Sequence, residues 1–176
     1  MSQKITSAKT SINRTRVPAL FKHPAIQWQA GTRNLDWGGG RYDTATEFLK
    51  GLGVENEIYD PYNREATHNE RVLAESPYDS ATVSNVLNVV QGAENRRSII
   101  KEVLDNVKEG GIIYVKVYEG DGSGTGRLTK QGSCWQENRK TSSYVDELKK
   151  FKPQMIGGSN KIIIIKKPII KKESEE

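Results

Sequence analysis

The sequence has few of the residues that build metal centres and disulfide frameworks. Its 176 residues include one cysteine, Cys134, and two histidines, His23 and His68. A lone cysteine cannot form an internal disulfide, and these three residues show no metal-ligand spacing, so we expect no metal site. A single cysteine is typical of a reducing compartment, and we predict a cytoplasmic protein.

Long hydrophobic stretches are also missing. No apolar run approaches the roughly 18 residues of a membrane-spanning helix, and the N-terminus lacks a signal-peptide core. The densest apolar stretch, residues 162–165, is short and β-branched, which favours a buried strand. We therefore expect no membrane association. A chain of this length can enclose one hydrophobic core, which predicts a single compact domain.

Acidic residues are absent from the first 35 positions. Such a segment could follow the phosphates of a nucleic acid, or it could lie solvated and partly ordered across the domain. A transit peptide is a third interpretation, although two prolines interrupt any long amphipathic helix. We divide the chain into a basic N-terminal arm (1–30), a central domain (31–168) and a charged C-terminal tail (169–176). The basic residues of the first 35 positions are Lys4, Lys9, Arg14, Arg16, Lys22 and Arg33.

Short apolar strands alternate with amphipathic helices along the central domain. This alternation predicts an α/β fold, with a doubly wound, Rossmann-like, mostly parallel sheet and helices on both faces. Residues 119–132 hold five glycines and predict a loop. Strands are expected at 33–36, 57–60, 79–90 (with the turn that follows), 112–118 and twice near the C-terminus. Helices are expected at 44–50, 64–75, 93–107 (stopping at Glu109-Gly110-Gly111) and 143–151.

The turn after the first strand is the expected ligand site, because open α/β sheets bind ligands beyond the carboxyl ends of their strands. It reads Asn34-Leu35-Asp36-Trp37-Gly38-Gly39-Gly40. Glycines let the backbone approach a ligand closely, and the next helix presents unpaired N–H groups. A dinucleotide fingerprint needs a further glycine where Asp43 stands. The carboxylate of Asp36 also suits a cationic ligand better than a pyrophosphate.

From this turn onward the chain resembles the class I S-adenosylmethionine-dependent methyltransferases. Their first motif is an acidic residue, any residue, glycine, any residue, glycine, and Asp36, Gly38 and Gly40 match it. The similarity covers about residues 33–118, including Asp60 after the second strand and the stretch 78–85, which looks like the family's fourth strand. Three stretches are similar to small methyltransferase-like proteins of phage genomes and, more distantly, to those associated with DNA phosphorothioation: Asp60-Pro61-Tyr62-Asn63, Ser84-Asn85-Val86-Leu87-Asn88-Val89 and Cys134-Trp135-Gln136.

The resemblance implies S-adenosylmethionine as cofactor. Asp60 would bind its ribose hydroxyls, although an aspartate before a proline could also only cap a turn. Asn85 would be the catalytic residue at the acceptor, or else a satisfied polar residue at a strand end. Family members that methylate exocyclic amines follow this position with two prolines and an aromatic residue, which are missing here. The implied cofactor contacts are Asp36, Trp37, Gly38, Gly39, Gly40, Asp60, Pro61, Tyr62, Ser84 and Asn85.

Three residues after the glycine-rich loop are candidates for substrate contact: Trp135, Gln136 and Arg139. Trp135 could equally pack the loop onto the core. The loop itself is predicted to act as a substrate lid. Cys134 follows a serine and lies beyond the strand that precedes this loop, which does not suit a catalytic thiolate. Basic residues around the loop could meet an acidic acceptor or form a solvated surface: Arg127, Lys130, Arg139 and Lys140.

These patterns predict a methyltransferase that modifies an amine of a nucleic acid or nucleotide, with the basic arm as a possible nucleic-acid contact. Two alternatives remain. One is a cofactor-binding module or regulatory subunit whose target recognition or transfer chemistry comes from a protein partner. The other is a small-molecule methyltransferase, for which a short chain without a recognition domain is equally natural.

Overall fold

The computed structural model of the chain describes residues 14–129 and 134–171. Its eight strands form a six-stranded sheet and a separate two-stranded hairpin. The strands are β1 Arg33–Trp37, β2 Glu55–Tyr59, β3 Tyr78–Ser84, β4 Val107–Lys116, β5 Gly126–Leu128, β6 Trp135–Glu137, β7 Gln154–Ile156 and β8 Ile162–Lys166. In the large sheet the order is β2-β1-β3-β4-β8-β7, with β1 to β4 parallel and β8 antiparallel to both of its neighbours.

Among the described residues, three α-helices cover the two faces of this sheet: α1 Thr44–Gly51, α2 Ala66–Ala74 and α3 Ala93–Asp105. Leu35 of β1 packs on one face, in a core cluster with Val72 of α2 and Ile100 of α3. On the other face, Asn56 of β2 donates a hydrogen bond to Thr46 of α1 at 3.0 Å. The predicted α/β class and the mostly parallel, doubly wound sheet are confirmed.

Part of the segment predicted as an arm packs against the sheet. Leu20 and Ile26 are buried against Ile162 of β8, and Phe21 is buried against Leu49 of α1. Burial of three apolar side chains ties this segment to the domain. Of the two predicted terminal segments, residues 1–13 and 172–176 lie outside the described residues.

The predicted glycine end of the third helix is wrong. Helix α3 ends at Asp105, and Gly110 and Gly111 lie within β4. A Cβ at Gly111 would come within 2.8 Å of the backbone oxygen of Asp79 in the neighbouring strand. The register between β3 and β4 also shifts at this point. The glycines therefore permit a close approach of two strands and do not terminate a helix.

Two predictions in the last third of the chain are also corrected. The stretch expected as a helix at 143–151 forms two 3₁₀ turns, Thr141–Tyr144 and Lys149–Phe151, and the chain then passes through a left-handed Lys152 before Pro153. The stretch expected as a loop at 119–132 contains β5, which pairs with β6. Neither element reaches the length at which its periodicity shows in the sequence.

Candidate functional site

A tight glycine turn follows β1 at residues 38–40. Gly38 and Gly40 have φ angles of +76° and +80°, which side chains rarely adopt. The Gly38 N–H donates to the backbone oxygen of Tyr59 at 2.7 Å, so the turn is fixed to the end of β2. A Cβ at Gly38 would come within 2.6 Å of Val86 Cγ2, beyond the end of β3. The turn thus touches the carboxyl ends of both neighbouring strands.

Asp60 ties this turn to the chain after β2. Its side chain is almost fully buried and both carboxylate oxygens accept hydrogen bonds. Oδ2 accepts from the Gly40 N–H at 2.9 Å and from Asn63 Nδ2 at 3.1 Å. Oδ1 accepts from the N–H groups of Tyr62 and Asn63 at 2.9 and 3.0 Å. Asp60 therefore caps its own turn and also holds the glycine turn in place.

Arg64 holds the same turn from its other side. Its Nε donates to the Gly40 backbone oxygen at 2.8 Å, and its Nη2 donates to the Asp43 carboxylate at 2.8 Å. Asn69 stabilises the end of β2 by bonding both the N–H and the C=O of Asp60, each at 3.0 Å. Sequence analysis missed both residues, because a polar residue at the start of a helix is indistinguishable from one on a solvated face.

Asp36 is buried beneath the glycine turn, with 2 % of its surface exposed. The Thr82 hydroxyl donates to its Oδ1 at 3.0 Å. Burial, with a smaller contribution from the Asp60 charge, raises the pKa of Asp36 from 3.8 to about 7. A Cβ at Gly39 would meet the Asp36 carboxylate, so the turn lies directly on this carboxyl group. Asp36 can therefore act on a ligand only through the turn.

Buried polar residues continue from Asp36 across the same face of the sheet. Asn34 Nδ2 donates to Asn56 Oδ1 at 2.8 Å and to Thr82 Oγ1 at 3.0 Å. Ser80 donates to Asn34 Oδ1 at 2.8 Å. These bonds link β2, β1 and β3 side by side, so the strands that carry the site are fixed in register by polar side chains.

Asn85 follows β3 with a φ angle of +57°, a left-handed conformation that asparagine tolerates better than most residues. It is exposed, and its N–H donates to the Lys116 backbone oxygen at 2.9 Å. Ser84 pairs with Lys116 in the sheet register. Since Val86 contacts the glycine turn, the structure brings Asn85 to the same edge as Gly38 and Asp60.

The β5–β6 hairpin packs against the turn at 87–89 that follows Asn85. Asn88 Nδ2 donates to Gln136 Oε1 at 3.2 Å, which fixes β6 to this turn. Asn88 is 2 % exposed, and its Oδ1 has no hydrogen-bond donor within the part of the chain that the structure describes. Gln136 thus lies beside the turn that follows Asn85, and Asn88 adds a buried hydrogen-bond acceptor that sequence analysis did not single out.

Other predicted contacts are placed differently. The Trp37 ring is buried and packs against Tyr59, with ring centroids 4.1 Å apart. Tyr62 exposes 45 % of its surface beside the glycine turn, after the exposed Pro61. Trp135 lies across Gly126 within the hairpin. Of the predicted cofactor contacts, Tyr62 therefore offers an accessible ring, whereas the Trp37 side chain belongs to the core.

The Arg139 side chain is engaged by other residues of the protein. Its Nη2 donates to Glu147 at 2.9 Å, and its guanidinium lies 3.7 Å from the centroid of the Tyr144 ring. Arg127, also singled out from the sequence, pairs with Asp121. Lys130 lies outside the described residues, whereas Lys140 is exposed and forms no ion pair with another described residue.

Three carboxylates approach one another at the other edge of the sheet: Glu55, Glu57 and Glu75. Their oxygens lie within 4.8 Å of one another. Arg71 bonds Glu57 at 2.9 Å and Glu75 at 3.0 Å, and Arg33 lies 3.5 Å from Glu55. The arginines supply the countercharge, so the group is a surface ion-pair network.

Among the described residues, no helix is long and apolar enough to cross a membrane.

Several solved structures that resemble this chain are methyltransferases. The Burkholderia thailandensis 1,6-didemethyltoxoflavin-N1-methyltransferase, solved with 1,6-didemethyltoxoflavin and S-adenosylhomocysteine, matches with a TM-score of 0.58 and 16 % identity over 80 % of this chain and 72 % of that one. An S-adenosylmethionine-dependent methyltransferase of Methanosarcina mazei matches with a TM-score of 0.57 and 15 % identity, over 82 % of this chain and 95 % of that one.

Human N-acetylserotonin methyltransferase in complex with S-adenosylmethionine matches with a TM-score of 0.55 and 16 % identity, over 78 % of this chain. This match spans about half of the human enzyme, 48 % of its length. Neither a family model nor a curated protein sequence matches the chain. At these identities the likeness establishes a shared fold, that of the class I S-adenosylmethionine-dependent methyltransferases.

Proposed function

We propose that this protein is an S-adenosylmethionine-dependent methyltransferase. The observation that carries the proposal is the meeting of three features at one edge of a methyltransferase-type sheet. They are the glycine turn at 38–40, the carboxylate of Asp60 and the strand-end residue Asn85. Ligands of open α/β sheets bind at this edge.

The residues around the turn fit such a cofactor. Glycine at position 38 lets the backbone of the turn lie directly against Val86, where any Cβ would clash. Tyr62 offers an exposed ring for an adenine base. The Asp60 carboxylate accepts four hydrogen bonds, of which the one from Asn63 Nδ2 comes from a half-exposed side chain. A ribose hydroxyl can replace that donor while the backbone donors keep the turn in place.

The cofactor supplies a methyl group on a sulfonium centre, and the protein's task is to place the acceptor in line with it. Alignment and exclusion of water account for most of the acceleration in such a displacement. The Asn85 side-chain oxygen lies at the strand end, where it can accept a hydrogen bond from the acceptor and orient its lone pair. Asp36 would favour positive charge above the turn when it is ionised.

A small-molecule acceptor is the version of this proposal that we favour. Two of the similar enzymes have names that give the acceptor, 1,6-didemethyltoxoflavin in one and N-acetylserotonin in the other. Both acceptors are small molecules. Of the basic residues in the first 35 positions, Arg33 forms ion pairs with Glu55 and Glu75. Both observations favour the small-molecule alternative over a nucleic-acid amine.

The cofactor is tested by calorimetry with S-adenosylmethionine on three proteins: wild type, Asp60→Ala and Asn63→Ala. We expect binding to the wild type and a loss of at least tenfold in affinity for Asp60→Ala, because each charge-assisted hydrogen bond contributes about 1.5–3 kcal/mol. Asn63→Ala frees one lone pair of Asp60 and should bind as tightly as the wild type. No binding heat to the wild type at millimolar cofactor would refute the proposal.

Transfer is tested with methyl-labelled cofactor and separate pools of metabolites, RNA and DNA. Asn85→Ala and Asn85→Gly both remove the side-chain amide, but glycine also removes any backbone strain at the φ angle of +57°. We expect both variants to bind cofactor normally and to lose transfer alike, since the lost contact acts on the acceptor. Tight cofactor binding without transfer to any pool would indicate a binding module instead.

A further inference from the structure

A cavity of about 330 Å³ lies at the carboxyl end of β4, and we call it the lysine cavity. Lys116, the last residue of β4, lines it, and the Lys116 backbone oxygen accepts the Asn85 N–H at 2.9 Å. The cavity therefore adjoins the position at which we place the acceptor. Its volume is that of a small-ligand pocket. Its charged and hydroxyl-bearing lining includes Lys116, Glu119, Lys140, Ser142, Ser159 and Lys161.

Positive charge dominates the lining. Three lysines, Lys116, Lys140 and Lys161, face one acidic residue, Glu119. Glu119 Oε1 already accepts the N–H of Thr141 at 2.8 Å. None of the three lysines forms an ion pair with residues 14–129 or 134–171. The two ion pairs that involve a lysine in those ranges lie elsewhere on the surface. Unpaired like charges around a concave surface attract an anion.

Lys116 is held in place by a chain of hydrogen bonds. Its Nζ donates to Asn160 Oδ1 at 2.7 Å, and the Asn160 backbone oxygen lies 2.5 Å from His23 Nε2. His23 Nδ1 accepts the Ala25 N–H at 3.1 Å, which leaves the proton on Nε2 to be donated to Asn160. The ring is buried, so the loop 158–161 is anchored from inside. The site is thus partly preorganised, which lowers the entropic cost of binding.

We propose that the lysine cavity binds an anionic group, phosphate or carboxylate, of a small methyl acceptor. Lysine ammonium groups and the hydroxyls of Ser142 and Ser159 supply the donors that such a group needs. The anion fixes one end of the acceptor, and the other end lies by Asn85. The identity of the bound molecule as the acceptor rests on the proposed transfer activity, whereas anion binding by these lysines does not.

The test uses inorganic phosphate and adenosine monophosphate, titrated by calorimetry at low ionic strength. The variant is K140Q/K161Q, because both side chains are exposed and their removal leaves the core intact. The matched control is K50Q/K166Q, which removes two exposed charges away from the cavity. We expect the affinity of the variant for both anions to fall at least tenfold and that of the control to stay within twofold of the wild type. Cofactor affinity should be the same in all three proteins.

Equal phosphate affinity in the variant and the control would overturn the proposal. A parallel loss of S-adenosylmethionine affinity in K140Q/K161Q would also overturn it, by assigning the cavity to the cofactor carboxylate. Lysine-dependent binding of a single-stranded oligonucleotide, without binding of the two small anions, would overturn the small-acceptor assignment. If the wild type binds no cofactor but binds phosphate through these lysines, the proposed function fails while the anion site is supported.

Discussion

At the scale of single residues, Asp36 stands out because an ionisable carboxyl group is buried almost completely. The first motif of the resemblance requires an acid here, and the fold buries it under a glycine turn and next to Asp60. Its pKa of about 7 means that it is partly protonated near neutral pH. A cation above the turn would favour the ionised form, so ligand charge and pH are linked at this residue.

The raised pKa predicts how stability varies with pH. Between 3.8 and about 7 the folded protein retains a proton that the unfolded chain has lost, so the stability contributed by this group is present below pH 4 and falls as pH rises through 7. The Asp36→Asn variant keeps an acceptor for Thr82 but cannot ionise. Between pH 5 and pH 8, the wild type should lose about 2–3 kcal/mol more unfolding free energy than this variant.

Urea denaturation at the two pH values measures this difference. Asp146→Asn is the control, because Asp146 is exposed whereas Asp36 is buried. Its pH profile should parallel that of the wild type. If Asp36→Asn also runs parallel to the wild type, the raised pKa of Asp36 is not a property of the folded protein.

At the scale of elements, an internal ion-pair network joins α3, the hairpin and the 3₁₀ turns near the C-terminus. Arg96 of α3 is 5 % exposed. Its guanidinium donates to Glu147 Oε1 at 2.6 Å and Oε2 at 2.9 Å, and to Glu137 of β6 at 3.0 Å. Burial alone would raise the pKa of Glu147, but hydrogen bonds and charge from Arg96 and Arg139 lower it. The hairpin is thus fixed beside the site by charge.

Removing Arg96 should therefore be costly. Arg96→Met leaves two carboxylates buried without their main partner, and we expect a loss of about 3–5 kcal/mol in unfolding free energy. The neighbouring Arg97 pairs with Glu94, whose side chain is 93 % exposed, so Arg97→Met should cost less than about 1 kcal/mol. Equal losses for the two variants in urea denaturation would contradict a role for the network.

Elements were predictable from the sequence where one physical signal dominates. The run of β-branched residues at 162–165 falls in β8, because isoleucine favours strands. The stretch at 44–50 falls in α1, because its apolar residues recur at helical spacing. The glycine pair at 110–111 was misassigned, since a glycine at a helix end and one at a close strand contact look alike in sequence. The hairpin depends on a buried ion pair between distant residues, which no local pattern reveals.

The residues of the candidate site also fall into two groups, those that a sequence motif locates and those whose contacts depend on packing. The glycine turn, Asp60 and Asn85 could be located from motif order, and the structure brings all three to one edge of the sheet. The partners that hold them, Arg64 and Asn69, could not be located, because their contacts depend on the packing of the chain after β2. The ligand roles assigned to the three predicted residues stay predictions.

At the scale of the whole molecule, the N-terminal segment combines a basic part with an apolar part that is buried in the domain. Leu20, Phe21 and Ile26 are buried against the sheet and α1. Burying each such side chain contributes about 1.5–3 kcal/mol, so the three together approach the net stability of a small domain. The basic residues at 4, 9, 14 and 16 precede this packed part. The two parts can therefore be separated by truncation.

Deleting residues 1–16 should leave the fold, cofactor affinity and transfer to a small acceptor unchanged, because every buried residue of the packed part remains. Deleting residues 1–28 should unfold the domain at room temperature, as seen by the loss of a cooperative thermal transition.

The shorter deletion also tests the nucleic-acid interpretation of the basic arm. If the arm guides nucleic acid, wild-type binding to duplex DNA will weaken steeply with salt, and the deletion will lower the log-log slope by about 0.9 for each of up to four lost phosphate contacts. A small-acceptor enzyme predicts no such slope, so a steep slope that the deletion flattens would return the acceptor to nucleic acid.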